Sequence, residues 1–249
     1  MLGKYMNVIS AAAIVLGAIA LTACHSSKKS RYETFEVPAT TLHAIEAQQG
    51  INVIYEQKEG EPKVSVSCDT IYTPQLDVNV IDGKLHAAFK PGSQVPYDKI
   101  TVRVTSPAVN SLKAEMGAEI KVSEAMSIMG DVEIEANTAG AVKFPSGIAC
   151  QKIIIRAHNT GKVILKKINA DATEVNATTA AYVALEGESK LLAFQKGTTA
   201  DVLYQTLKTV KADSTIAEEI FELPKPKKEK PAVKDTTRTA PAATAQKPA

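Results

Sequence analysis

Apolar and polar residues alternate with a period of two through the first half of the chain. The clearest stretches are residues 51–56, 64–68, 76–80 and 100–104. Alternation of this kind is typical of short strands with one buried face. Asp82 and Gly83 separate two such stretches, and an Asp-Gly pair in this position predicts a tight hairpin. The first half is therefore predicted to consist of short strands.

An 11-residue unit recurs through the second half at intervals of about 20 residues. Its copies begin at residues 112, 134, 155, 175 and 194, and they read LKAEMGAEIKV, IEANTAGAVKF, IRAHNTGKVIL, VNATTAAYVAL and FQKGTTADVLY. A β-type unit with this period predicts a β-solenoid of stacked coils, and we expect it to be right-handed. Positions 1 and 3 would lie on one inward-facing strand and positions 9 and 11 on a second. The alternative is an antiparallel sandwich whose strands recur at even spacing.

Two further positions of the 11-residue unit, 7 and 2, each lead to a prediction. Position 7 holds only Gly or Ala, which indicates a corner where a large side chain would crowd the next coil or where φ is positive. Position 2 reads Lys, Glu, Arg, Asn and Gln in the five copies, so its charge alternates over the first three. Coils stacked in register would place Glu135 between Lys113 and Arg156, in exposed pairs that contribute about 0–1 kcal/mol each.

The first 24 residues read as a targeting segment. Lys4 precedes an uncharged apolar stretch that is short for a membrane span, and the stretch ends in Leu-Thr-Ala-Cys at Cys24. That ending resembles the lipobox of bacterial lipoproteins, in which the cysteine carries the lipid, while the alternative is an ordinary secretory signal. No Asp follows Cys24, and the resemblance therefore implies the outer membrane, with the periplasmic or outward-facing side left open. Two or more acyl chains on one residue give stable anchoring.

The last 26 residues form a basic segment rich in Pro, Lys and Ala. Seven cations face two carboxylates there, which gives a net charge of +5 in a chain whose net charge is +2. Such a composition predicts disorder. Either the segment contacts an anionic wall polymer or membrane lipid head groups, or it is a solubilising terminus. The candidates for polymer contact are Lys225, Lys227, Lys228 and Lys230.

Two cysteines remain when Cys24 is assigned to the anchor. Cys68 and Cys150 would share an oxidising compartment, so both a disulfide and a pair of free thiols are open. Cys68 alternates with Val64 and Val66, which favours a small buried residue.

Gly50-Ile51-Asn52 spells the tripeptide of a known family. It follows an opening strand and precedes a strand with a charged turn, and the repeats come after it. Over residues 38 to 215 the chain resembles the putative auto-transporter adhesin, head GIN domain family. The resemblance implies an adhesin-like protein without catalytic residues. The corners differ from the Ser-Gly type frequent in that family, since they read Asn-Thr-Gly at 159–161 and Thr-Ala-Gly at 138–140.

The sequence gives little support for an enzymatic function. His43, His86 and His158 form no metal-binding pattern, and neither a nucleophile elbow nor a phosphate loop occurs. Glu133 and Glu135 point to the same side, but a solvated face explains them better than a carboxylate pair for glycoside cleavage. The absence of Trp and an aromatic content of 5% argue against an aromatic stacking platform for sugars or for single-stranded nucleic acid.

The predicted protein is an all-β, lipid-anchored envelope protein without catalytic activity, cofactor or metal. Its regions are a signal peptide (1–23), a tether (24–37), an N-terminal β part (38–108), solenoid repeats (109–223) and a basic tail (224–249). One hypothesis is a binding module that contacts a glycan or protein through the solenoid surface. A second is a periplasm-facing scaffold whose tail contacts peptidoglycan, and a third is a polysaccharide-cleaving enzyme.

Overall fold

The fold consists of strands stacked as coils, as the repeat predicts. The computed structural model describes residues 31–94, 100–197 and 199–209. Cys24 and the basic tail lie outside these residues, so the predictions made for them stay predictions. A short 3-10 turn, Thr73–Gln75, is the one helical element within the described ranges. The strands there are β1 (Tyr32–Val37), β2 (Ala44–Ala47), β3 (Asn52–Gln57), β4 (Lys63–Asp69), β5 (Leu76–Ile81), β6 (Lys84–Phe89), β7 (Thr101–Ser106), β8 (Ser111–Glu115), β9 (Glu119–Val122), β10 (Met126–Ser127), β11 (Asp131–Asn137), β12 (Ala141–Phe144), β13 (Ile148–His158), β14 (Lys162–Ala177), β15 (Tyr182–Lys196) and β16 (Asp201–Thr209).

Each coil of the repeat contributes to parallel ladders, in which every strand pairs with the equivalent strand of the next coil. The first ladder contains position 1 of the repeat and runs through β8, β11 and the ends of β13, β14 and β15. The second contains position 9 and runs through β9, β12 and the starts of β14, β15 and β16. This pairing confirms the all-β solenoid and excludes the antiparallel sandwich for the repeat region.

Each coil also has a third strand, which follows its second-ladder strand and precedes the first-ladder strand of the next coil. These strands pair with one another and form a third ladder. Met126 pairs with Ile148, and Ile148 with Ile168. All three side chains are buried, so the coil has three inward-facing strands where the repeat predicted two. In the next two coils the paired residues are Gly187 and Leu207. Because Gly187 has no side chain, the recurrence of apolar residues at this position is hard to see in the sequence.

The ladders continue into the N-terminal part, beyond the boundary predicted at residue 108. Strand β8 pairs with β2, and β9 pairs with β3, so residues 45–55 form a coil in register with the repeat. Their sequence, IEAQQGINVIY, is a further copy of the 11-residue unit and begins with the same Ile-Glu-Ala as the copy at 134. Gly50-Ile51-Asn52 occupies the corner of this coil.

A terminal coil is formed by β6 and β7, which pair in parallel with β2 and β3. Because β6 and β7 follow β3 in the chain, the order of coils in space differs from their order in sequence. Antiparallel strands finish this end: β5 pairs with β6 through the predicted Asp82-Gly83 turn, and β4 pairs with β7. Strand β1 then pairs with β4. These antiparallel strands cover the edges that the first parallel strands would otherwise expose.

The corner between the first two ladders has the same backbone shape in successive coils. Two consecutive residues are left-handed there, as in Thr138-Ala139 (φ 47° and 62°) and Asn159-Thr160 (φ 48° and 64°). These residues occupy positions 5 and 6, immediately before the small residue at position 7. At Gly161 an added Cβ would lie 2.0 Å from the Ala136 carbonyl oxygen. Crowding, and not a positive φ, therefore explains the absence of a side chain at Gly161 and at Gly140, where an added Cβ would meet the Ala114 carbonyl oxygen.

Buried apolar columns fill the space between the ladders. Position 1 is represented by Ile45, Leu112, Ile134 and Ile155, and each is at most 1% exposed. Full burial of one such side chain contributes about 1.5–3 kcal/mol. Cys68 belongs to the same core beside Val64 and Val66, as its alternation predicted. Cys68 and Cys150 are both free thiols in the structure, and burial raises the pKa of Cys150 to about 11.

Gly187 offers a test of how tightly successive coils stack. Its φ is +132°, and an added Cβ would lie 2.2 Å from the Ile168 nitrogen, whereas Gly60 has a φ of +110° with no atom within 4 Å. Gly187→Ala should destabilise the protein by about 2–5 kcal/mol through strain and crowding, and Gly60→Ala by about 1–2 kcal/mol through strain alone. Urea unfolding followed by circular dichroism measures both variants. Equal losses would contradict the close stacking at Gly187.

Candidate functional site

A continuous row of polar side chains runs along the exterior of the first ladder. Its members share position 2 of the repeat or are paired with that position, and we call them the polar row: Asn79, His86, Glu46, Lys113, Glu135, Arg156, Asn176 and Gln195. They come from eight neighbouring strands, and a strand spacing of about 4.8 Å makes the row about 34 Å long. The repeat places these side chains outward because positions 1 and 3 on either side of them are buried.

Charge alternates along the middle of the polar row. Glu135 is paired in register with both Lys113 and Arg156, as predicted. The Lys113 Nζ lies 3.7 Å from Glu135 and 3.2 Å from Glu115. Arg156, by contrast, forms its ion pair with Glu133 at 3.7 Å. Both glutamates considered for glycoside cleavage therefore point outward and face a cation.

Glu46 is the most deeply placed charge of the row. It is 9% exposed, and it accepts a hydrogen bond from Gln48 at 2.8 Å while pairing with Lys84. Burial raises the pKa of Glu46, but the bonds from Lys84 and Gln48 and the positive charges of Lys84 and Lys113 outweigh it and hold the pKa below its usual value. Glu46 is therefore ionised at neutral pH and fixes the neighbouring side chains.

The corner beside the polar row is also polar, and its side chains join one coil to the next. Asn159 donates to Asn137 at 3.0 Å, and the His158 Nδ1 lies 2.7 Å from the Thr178 hydroxyl. His158 is thus a corner residue with a hydrogen-bonded neighbour. The Gly50 nitrogen donates to the Met116 carbonyl at 3.1 Å, and Ile51 is fully buried. The Gly-Ile-Asn tripeptide therefore builds the corner of its coil.

Two histidines that are distant in sequence lie near each other at the capped end of the polar row. His43 and His86 both line an open cleft with Glu46 and Asp77. Sequence reasoning missed this cleft, because it is created by β6 returning to lie beside β2. Within the described ranges, no three His, Cys, Asp or Glu residues are placed to hold a metal ion.

Comparison with known proteins agrees with this geometry. The family model described as "Putative auto-transporter adhesin, head GIN domain" matches residues 41–217, which is more than half of the chain. No curated protein matches the chain. None of the helices among the residues that the structure describes is long and apolar enough to span a membrane.

Several solved structures share the fold at low sequence identity. A putative adhesin from Parabacteroides merdae has a TM-score of 0.64 and 18% identity, over 73% of this chain and 75% of that one. A putative lipid binding protein from Parabacteroides distasonis has a TM-score of 0.61 and 16% identity, over 73% and 76%. A putative adhesin from Bacteroides fragilis has a TM-score of 0.52 and 18% identity, over 74% and 95%.

The depressed pKa of Glu46 predicts how stability responds to acid. A carboxyl group whose pKa is lower in the folded state stabilises the fold above its unfolded pKa, near 4.5, and this contribution is lost as the pH falls through the folded pKa. Glu46→Gln should therefore lower the urea midpoint at pH 7 and reduce the further loss between pH 5 and pH 3. Glu124→Gln, at an exposed carboxyl, is the control. An unchanged acid profile for Glu46→Gln would contradict the assignment.

Proposed function

The chain belongs to the head GIN domain family of putative auto-transporter adhesins, and from this membership we propose that it is a non-catalytic, adhesin-like binding module of the bacterial cell envelope. It contacts a glycan or a protein through the exterior of the solenoid. The observation that carries this proposal is the polar row. It presents outward-facing polar groups over about 34 Å on a backbone that neighbouring coils hydrogen-bond on both sides.

The chemistry of the row suits binding better than catalysis. Its carboxylates and cations each have an ion-pair partner: Lys113 contacts Glu135 within the row and Glu115 beside it, Glu46 pairs with Lys84, and Arg156 pairs with Glu133. Paired carboxylates on an open face are poorly suited to act as a general acid and base, which need separate environments that push their pKa values apart. Fixed polar groups without exposed aromatic anchors favour a ligand that is recognised through many hydrogen bonds over an extended area.

The anchor in this proposal is a lipid on Cys24, which would hold the module at the outer membrane. A lipid at this position supplies attachment without a spanning helix. The tether predicted over residues 24–37 is shorter than expected, because Tyr32–Val37 form β1 and pair with β4. The residues between Cys24 and β1 would separate the fold from the membrane surface. In the competing scaffold hypothesis the module faces the periplasm, and the cations Lys225, Lys227, Lys228 and Lys230 contact the wall.

Protease treatment of intact cells tests which side the module faces. If it is an adhesin, an antibody against the coils should detect its cleavage on unbroken cells, while a periplasmic marker stays intact. Cys24→Ser should move the protein from the membrane fraction to the soluble fraction. Protection until the outer membrane is permeabilised would contradict the adhesin proposal and favour the scaffold.

Variants of the exposed end of the polar row test the surface itself. Arg156→Ala/Asn176→Ala/Gln195→Ala should reduce the attachment of cells to an array of glycans and matrix proteins at least tenfold. The matched control, Lys121→Ala/Lys166→Ala/Asp201→Ala, changes three exposed residues outside the polar row and should attach normally. Equal attachment by the two triple variants would contradict the assignment to the first ladder.

A further inference from the structure

The two ends of the solenoid differ in how their strand edges are covered. At one end the antiparallel strands β1, β4 and β5 finish the sheet. At the other end β16 pairs with β15 on one side, and no strand of the described residues pairs with its other side. We call this second edge, nine residues long, the open end. An edge of this length presents main-chain N–H and C=O groups that a further strand can pair with.

Apolar side chains that are buried in the other coils are exposed at the open end. Position 11 of the repeat holds Phe144, Leu165 and Leu185, each of which is at most 2% exposed, whereas Tyr204 at the same position is 39% exposed. Leu203, the preceding residue of β16, is 40% exposed. Apolar surface beside an unpaired strand edge is typical of a protein contact.

The sequence of β16 is complementary to itself when two copies run antiparallel. In one register Asp201 lies opposite Lys208 of a second copy, and Val202 lies opposite Leu207. Val202 and Leu207 are both buried and Asp201 and Lys208 are both exposed, so like faces meet. A slip of one residue would place Val202 opposite Lys208 in one direction and Asp201 opposite Leu207 in the other. Self-pairing in the first register therefore matches both charge and burial.

The charges near the two ends of β16 can form this pair. Asp201 is exposed and forms no ion pair with a residue that the structure describes. Lys208 pairs with Glu188 at 3.2 Å, but its side chain is 82% exposed, and an ammonium group has three donors. Lys208 can therefore contact a second carboxylate without leaving Glu188. Two-fold symmetry would form the Asp201–Lys208 pair twice.

The midpoint of this register coincides with the corner of β16. The two-fold axis passes between Tyr204 and Gln205, and the register of β16 against β15 shifts at the same place, between Ala184 and Glu186. Two paired copies would therefore turn the corner together, and the pairing can continue on both sides of it. We propose that the open end binds the open end of a second copy of this chain through antiparallel pairing of the two β16 strands. The inference goes beyond the proposed function, because β16 contains no member of the polar row.

Cysteine substitutions test the register in cells that produce the full chain. Asp201→Cys/Lys208→Cys places two thiols opposite each other at both ends of the paired strands, so mild oxidation should link the protein into a dimer on a non-reducing gel. Asp201→Cys alone and Lys208→Cys alone each face an unchanged residue and should give at least fivefold less dimer. The unchanged chain, with Cys68 and Cys150 as free thiols, gives the background.

Charge reversal tests the same contact in the purified full chain. Analytical ultracentrifugation in detergent should show a monomer–dimer equilibrium. Asp201→Lys and Lys208→Asp each bring like charges together across the two-fold axis and should weaken dimerisation at least fivefold. The double variant Asp201→Lys/Lys208→Asp restores the pair and should dimerise within twofold of the unchanged chain. The control is Asp171→Lys/Lys190→Asp, which reverses an ion pair within one copy. Circular dichroism verifies that each variant is folded.

Several results would overturn the inference. A full chain that is monomeric but dimerises when residues 210–249 are deleted would replace the second copy by the chain's own C-terminal residues as the occupant of the open end. A full chain that is monomeric with or without those residues would exclude the dimer. Dimerisation that neither single reversal weakens, or that the double variant does not restore, would place the contact on another surface. Equal cross-linking by the double and single cysteine variants would contradict the register.

Discussion

The other features of the fold depend on the hydrogen bonds between the main chains of successive coils. At the corner, the nitrogen at position 8 of each coil donates to the carbonyl at position 7 of the coil before it. Ala141 donates to Ala118, Lys162 to Gly140 and Tyr182 to Gly161, at 2.8 to 2.9 Å. The bond can repeat only if every corner has the same shape. The left-handed pair at positions 5 and 6 and the small residue at position 7 follow from that requirement.

The same requirement explains the exterior. Parallel stacking in register places equal positions of the unit in one column, so a single outward position becomes a row along the molecule. Like charges in such a column would repel at about 5 Å, and the alternation of Glu46, Lys113, Glu135 and Arg156 avoids this. Charge pairing on the row and backbone pairing below it therefore fix the same register.

How far the sequence predicted this structure depended on the strength of each pattern. The columns of Ile134 and Val142 were visible because burial demands apolar residues in every copy, and the hairpin at Asp82-Gly83 was visible from its turn chemistry. The third ladder was missed, since Gly187 interrupts its apolar column at a point where the backbones of neighbouring coils lie close together. The coil at residues 45–55 was missed because its corner holds the large Ile51, where the other copies have Gly or Ala.

The cleft and the ion pair of Arg156 could not be read from the repeat at all. The cleft depends on β6 returning beside β2, a pairing of segments about 40 residues apart that periodicity does not encode. Arg156 has two carboxylates within reach on the neighbouring strand, and only side-chain geometry selects Glu133. The repeat determines which residues share a face, whereas the contacts among them depend on three-dimensional detail.

The position of β2 and β3 between strands that come later in the chain has a kinetic consequence. Synthesis delivers the N-terminus first, so residues 44–57 emerge before either of their neighbours, β6 and β7 on one side and β8 and β9 on the other. Until residue 122 has followed, this apolar segment has two unpaired edges, and unpaired edges are sites of aggregation. The completed solenoid grows by adding one coil at a time, but its first stage must close three coils together. The coil of β2 and β3 can therefore be enclosed only after both of its neighbours have been made.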